Sequence, residues 1–206
     1  MAAREWKMEN FDRVLVVEGH SDKYFYAEVL EEVGKHGHVY IKEIDGKTDL
    51  TNKLETLVTP SLLTKAALGF IMDADDAPEQ TRQSLQQLLS RLTQQNVVDG
   101  KWTGGTPNIG LFVVPGGSAH GEIETLVWQS WANDPANASQ KQCVQDYVKC
   151  MSSAGIRAHS QDKGLIGALL ALRSDEDPRL GPGARDNVFD LGRPELEPLR
   201  AFLSSF

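Results

Sequence analysis

Four carboxylates stand where strands should end. Glu18 closes the run Val14–Val17 and is followed at once by Gly19, with Asp22 four residues on. Asp73 and Asp75 follow the run Ala67–Met72, with only the small Ala74 between them. Like charges held close raise one another's pKa. They tolerate that closeness best around a hard cation, and magnesium or manganese takes oxygen ligands of this kind. Residues two apart on an extended stretch point the same way, so Asp73 and Asp75 are expected to face one ion. The competing reading is structural: Asp22 would cap the helix it opens, and Asp75 or Asp76 the next one. A glutamate at the end of a buried strand, joined by two aspartates at the end of another, favours the cation.

The elements that must position these groups alternate. Val14–Val17 is a short apolar run of the buried parallel type, and 22–33 is helical in period, stopped by Gly34. Val39–Ile44 reads as a second strand, and Leu50, Leu54, Leu57 and Val58 mark a helix that Pro60 ends. After the third strand, Ala67–Met72, Pro78 opens a helix running through Leu92. Residues 96–107 read as a loop with room for a small hairpin or lid, and Ile109–Val114 is a fourth strand broken by Pro115-Gly116-Gly117. Helices are expected from Gly121 to Trp131, Gln140 to Met151 and Lys163 to Arg173. A polar loop is expected over 175–185, then a last helix from Pro194 or Glu195. Strands alternating with helices predict an α/β fold with a mostly parallel sheet of about four strands. Such sheets bind ligands beyond the carboxyl ends of their strands, where Glu18, Asp73 and the loop 115–121 all fall.

The chain has 206 residues, 40% hydrophobic and 24% charged, with a formal net charge of -8. That is ordinary for a globular protein. No run reaches the length of a membrane span, and the N-terminal MAAREWKMENFDR lacks the apolar core of a secretory signal. A cytoplasmic setting is expected. Cys143 and Cys150 read as packing residues rather than zinc ligands. The acidic balance argues against a broad basic face for nucleic acid, since that grip comes from Lys and Arg on phosphates. Acids and bases are about equal from Arg157 to Arg200, so no basic groove is expected there. Metal-binding carboxylates nevertheless add formal negative charge that the bound cation then reverses locally.

The stretches VVEGHSDKYFY and GFIMDADDAP resemble the Toprim domain, with its Glu-Gly after the first strand and Asp-x-Asp after the third. The aspartate four residues after the glutamate is similar to the OLD-type (overcoming-lysogenisation-defect) nuclease branch. FVVPGGSAHGEIETLVW resembles the strand–Pro–loop–Gly-x-Leu-Glu element of small stand-alone OLD-like Toprim proteins. HSQDKGLIGALLAL resembles their late Lys-Ala helix, and AFLSSF their C-terminal aromatic helix. The resemblance covers nearly the whole chain. It implies a single Toprim-like domain over 1–206, with a Rossmann-like core at about 12–132 and a helical extension at about 138–206.

The resemblance also implies roles. Glu18 would be a metal ligand and general base, Asp22 would support the same metal, and Asp73 and Asp75 would hold or bridge the metals. Glu124 matches the glutamate of the Gly-x-Leu-Glu element and would serve a second metal. Glu122, two residues away on the expected helix, would not share its face, so Glu124 is preferred. Lys163 would stabilise charge on the scissile phosphate. One or two Mg2+ or Mn2+ ions and a nucleic-acid substrate, DNA or RNA, follow from the same resemblance. The setting it implies is phage defence or nucleic-acid processing. The loop Gly116-Gly117-Ser118-Ala119 departs from the polar or acidic residues common in the family. His120 is an added candidate as acid or ligand.

The expected chemistry is two-metal phosphodiester hydrolysis, with lysine assistance. Gly116-Gly117 is too short for a phosphate loop. Haloacid-type phosphatases and phospho-receiver domains also use aspartate pairs, but their strand order fits poorly. The alternative is a non-catalytic or partner-dependent Toprim subunit working with a separate ATPase, since OLD-type Toprim domains are often joined to one.

Overall fold

The apolar runs become the centre of a five-stranded sheet. The computed structural model describes residues 7–46, 48–173 and 177–206. The strands are β1 (Arg13–Val17), β2 (Tyr40–Glu43), β3 (Ala67–Asp73), β4 (Lys101–Trp102) and β5 (Asn108–Val114). Their order is β2-β1-β3-β5-β4. The pairs β1–β2, β1–β3 and β3–β5 are parallel, and β4 runs antiparallel to β5 at the edge. The expected α/β architecture is therefore present. The two-residue β4 extends the four expected strands from within the stretch read as a loop.

The helices are α1 (His20–Glu32), α2 (Leu50–Leu57), α3 (Pro78–Thr93), α4 (Ile123–Ala132), α5 (Ala138–Ser153), α6 (Gln161–Arg173), α7 (Leu180–Arg185) and α8 (Glu197–Ser204). Strand alternation divides them between the two faces. Val14, Val16, Leu68, Phe70, Met72, Leu111 and Val113 face α2 and α3. Leu15, Val17, Ile71, Phe112 and Val114 face the other layer, built from α1, α4, α6, α7 and α8. Among the described residues no helix is long and apolar enough to cross a membrane. The expected N-terminal reading lies partly outside the described residues, as does the start of the 175–185 loop.

The end of that expected loop is instead helix α7, LGPGAR. Its glycines serve close approach. A Cβ on Gly181 would collide with Tyr24 of α1, and one on Gly183 with Leu170 of α6. Glycine's intrinsic helix penalty is thus overridden by burial. A second close approach closes the sheet. Gly69 and Gly110 are register partners on β3 and β5, and both leave bare backbone on the α8 face. A Cβ on Gly69 would lie 2.6 Å from Phe206, and one on Gly110 2.7 Å from Trp102. Trp102 stacks on Phe202 at 4.9 Å between centroids and meets Phe206 edge-on at 4.7 Å. Lys35 Nζ donates to the Phe206 carbonyl at 2.7 Å.

Candidate metal centre

The chain leaves β1 toward β2 on one side, then returns to place β3 on the other side. This switch of direction opens a crevice at the carboxyl ends of β1 and β3. Glu18 follows β1 directly and Asp73 is the last residue of β3. A cleft of about 650 Å³ lies there, lined by Glu18, Asp73, Asp75 and Glu122 together with the flanking Asp76 and Asp162. Lys163, His120 and His159 line it too.

Two backbone hydrogen bonds join the loop after β3 to the loop after β5. Asp75 N–H donates to the Gly121 carbonyl at 2.8 Å, and Gly121 N–H donates back to Asp75 at 2.9 Å. Asp75 takes a left-handed backbone, φ 51°, which aspartate tolerates better than most residues. Gly121 has φ 122°, and a Cβ there would also collide with Thr125. The zipper sets Asp75 beside Glu122. Ile123 N–H, at the start of α4, donates to Asp73 Oδ1 at 3.1 Å. As a result Asp73, Asp75 and Glu122 each offer an oxygen, all within 4.8 Å of one another. Asp73 and Glu122 are buried and Asp75 is exposed, so the group is supported from below and open above.

Glu122 is the residue that sequence reasoning passed over. The preference for Glu124 assumed that both glutamates lay on one helix. Glu122 is instead the extended N-cap residue of α4, φ -135° and ψ -176°, so helical spacing does not govern where it points. Its carboxylate accepts from the Ser160 hydroxyl and from Lys163 Nζ. Its backbone N–H donates to Thr125 Oγ1 at 3.2 Å, and that hydroxyl donates to Asp162 at 2.6 Å. The start of α6 is thereby tied to the start of α4. The signals in the sequence were Gly121, which breaks the helix before Glu122, and Thr125 three residues later, the spacing of a cap.

Glu124 lies deeper. It is buried, outside the lining of the cleft, and its Oε2 has no hydrogen-bond partner among the described residues. Burial pushes its carboxyl up to about 7; Lys163 opposes the shift, while Glu122 and Asp22 add to it. Asp22 does what a cap does: its Oδ2 accepts from Gly19 N–H at 2.8 Å at the start of α1. It is also absent from the cleft lining. Asp75 and Asp76 do not cap α3, whose N-cap is Ala77.

Lys163 sits at the rim, its side chain 41% exposed. Burial works against its charge, but the hydrogen bond to Glu122 and the charges of Glu124, Glu122 and Asp73 outweigh it and hold the pKa above the ordinary lysine value. Tyr26 was not anticipated. It is buried on α1, and burial, then the charges of Asp73, Asp22, Glu124 and Glu18, push its hydroxyl well above the usual value. Four carboxylates from three parts of the chain thus act on one phenol. His120 donates Nδ1–H to the Asp76 carbonyl at 3.1 Å, which fixes its ring at the rim. The loop itself is clamped by Arg82 of α3, which bonds the Gly117 carbonyl and pairs with Asp99 at 2.7 Å.

Residues 12–206 match the family described as protein of unknown function (DUF3226). The chain belongs to that family. No curated protein and no solved structure matches it. For this DUF3226 chain the site therefore rests on its own geometry. That geometry is an all-oxygen group at a sheet switch point, with a lysine and two histidines at its rim.

Proposed function

We propose that the chain is a divalent-metal-dependent phosphodiester hydrolase acting on nucleic acid, a Toprim-like nuclease. The observation that carries this reading is the convergence of Asp73, Asp75 and Glu122 oxygens within 4.8 Å in an open cleft. The donor set fits magnesium or manganese, which take carboxylate oxygens and keep open positions for water and phosphate. Three carboxylates so close repel one another unless positive charge lies among them. The resemblance of the Glu-Gly and Asp-x-Asp stretches to Toprim nucleases supports the same reading.

In this reading Asp73, Asp75 and Glu122 hold the ion. When bound, it would supply Lewis-acid stabilisation and an acidified water. Glu18, on the same cleft, accepts the proton of an attacking water. Lys163 places positive charge where a phosphoryl oxygen gains negative charge. His120 stands at the rim to deliver a proton to the leaving oxygen. Asp22 and Glu124 support the arrangement from behind through the α1 cap and the buried charge balance.

Manganese titrated calorimetrically into wild type and into Asp73→Asn/Glu122→Gln tests the proposal, paired with cleavage of plasmid, single-stranded DNA and tRNA. Saturable heat and cleavage, both lost in the variant, are expected. Wild type that gives no manganese heat would overturn the reading. Manganese binding without cleavage of any substrate would favour the partner-dependent subunit over the free-standing enzyme.

A further inference from the structure

A second cleft, of about 520 Å³, adjoins the carboxylate cleft and shares His159, Ser160 and Gln161 with it. Its character is opposite. Lys149, Arg157 and His159 line it, and its lining contains no Asp or Glu. On α5, Gln145, Lys149 and Ser152 face it together, as helical spacing of three and four residues requires. Arg157 and His159 come from the short connection between α5 and α6. Lys149, Arg157 and His159 are exposed, and none pairs with a carboxylate among the described residues. On a chain of net charge -8, two cations, Lys149 and Arg157, share a concave lining that holds no carboxylate, which favours an anion there. Sequence order hid this track, because Lys149 lies outside the charge-balanced stretch from Arg157 to Arg200.

We infer that this cleft is the backbone track of the substrate: a single phosphodiester strand lies along Lys149, Arg157 and His159 and enters the carboxylate cleft past Ser160 and Lys163. The inference rests on the proposed nuclease reading and extends it to the path of the substrate. The acidic cleft repels phosphates on its own, so binding needs cations beside it, and phosphate neutralisation is the main sequence-independent source of such affinity. The amides of Gln145 and Gln161 and the hydroxyl of Ser152 offer donors to further phosphate or sugar oxygens. Both cations line a single cleft, which suits one backbone.

Fluorescence anisotropy with labelled single-stranded DNA and RNA 12-mers tests this, in EDTA and again with calcium. The proteins compared are wild type, Lys149→Gln/Arg157→Gln, and Lys101→Gln/Arg185→Gln as a control with the same loss of charge. The track variant is expected to bind about tenfold more weakly at low salt. It should also flatten the logarithmic salt dependence by about 1.4, two single-strand contacts at about 0.7 each. The control should match wild type. Equal affinity and slope in the two variants would overturn the track, as would absence of wild-type binding to either 12-mer. Manganese calorimetry on the track variant keeps the two readings apart: the carboxylate centre stands or falls by that heat, the track by the anisotropy.

Discussion

Replacing Glu124 by glutamine removes a charge from the core while keeping its shape. Burial raises this carboxyl from the ordinary 4.5 to about 7. An acid whose pKa is raised by folding costs nothing while both states are protonated and costs most once both are ionised. Linkage between these two values gives a destabilisation of about 1 kcal/mol at pH 5 and about 3 kcal/mol at pH 8. Wild type therefore loses about 2 kcal/mol across that interval through this group alone, whereas glutamine does not titrate. Urea unfolding in EDTA at pH 5, 6, 7 and 8 reads it out. The stability of Glu124→Gln minus that of wild type should climb by about 2 kcal/mol from pH 5 to pH 8, most steeply between pH 5 and 7. A difference that stays constant across the series would refute the reasoning, because it would mean that the carboxyl titrates alike in the folded and unfolded chains.

Two further outcomes follow from the loops and the sheet. Gly121→Ala forces a side chain onto a backbone of φ 122° and into Thr125. It should cost about 1–3 kcal/mol in thermal denaturation and weaken manganese binding, and unchanged manganese heat would deny the zipper its role in placing Glu122. Gly110→Ala sets a methyl 2.7 Å from Trp102 and 2.9 Å from Phe202. Overpacking of this kind costs about 1–3 kcal/mol, and a lowered urea midpoint followed by tryptophan fluorescence should show it.

The strands at the centre of the sheet were legible because burial on both faces writes them as unbroken apolar runs. β4 was legible only as room for a small hairpin, since two residues carry no periodicity. α7 was hidden for another reason: Gly181, Pro182 and Gly183 break isolated helices, and only packing against α1 and α6 reverses that preference. Of the candidate site, the cleft-lining Glu18, Asp73 and Asp75 were legible because they stand at or just past strand ends. Glu122 was lost through two residues of helix boundary, since the expected helix began at Gly121 and α4 begins at Ile123. Asp22 shows the cap that the sequence also allowed, its carboxylate accepting the Gly19 N–H at the first turn of α1. The cationic track was illegible because it joins α5 to the connection after it, and only the folded chain brings those side chains to one cleft.

The paired glycines of β3 and β5 have a consequence for the order in which the protein is made. Their side of the sheet is roofed by Trp102, Phe202 and Phe206, and two of those rings are synthesised after all five strands. A ribosome can thus hold a chain whose carboxylate loops have already emerged while the middle of its sheet is still bare backbone. Exposed apolar strands in such a chain are open to aggregation and to chaperones. The interval ends only when Phe202 and Phe206 clear the exit tunnel and Lys35 takes hold of the Phe206 carbonyl. The time taken to make the stretch from β5 to α8 therefore sets how long the nascent protein stays vulnerable.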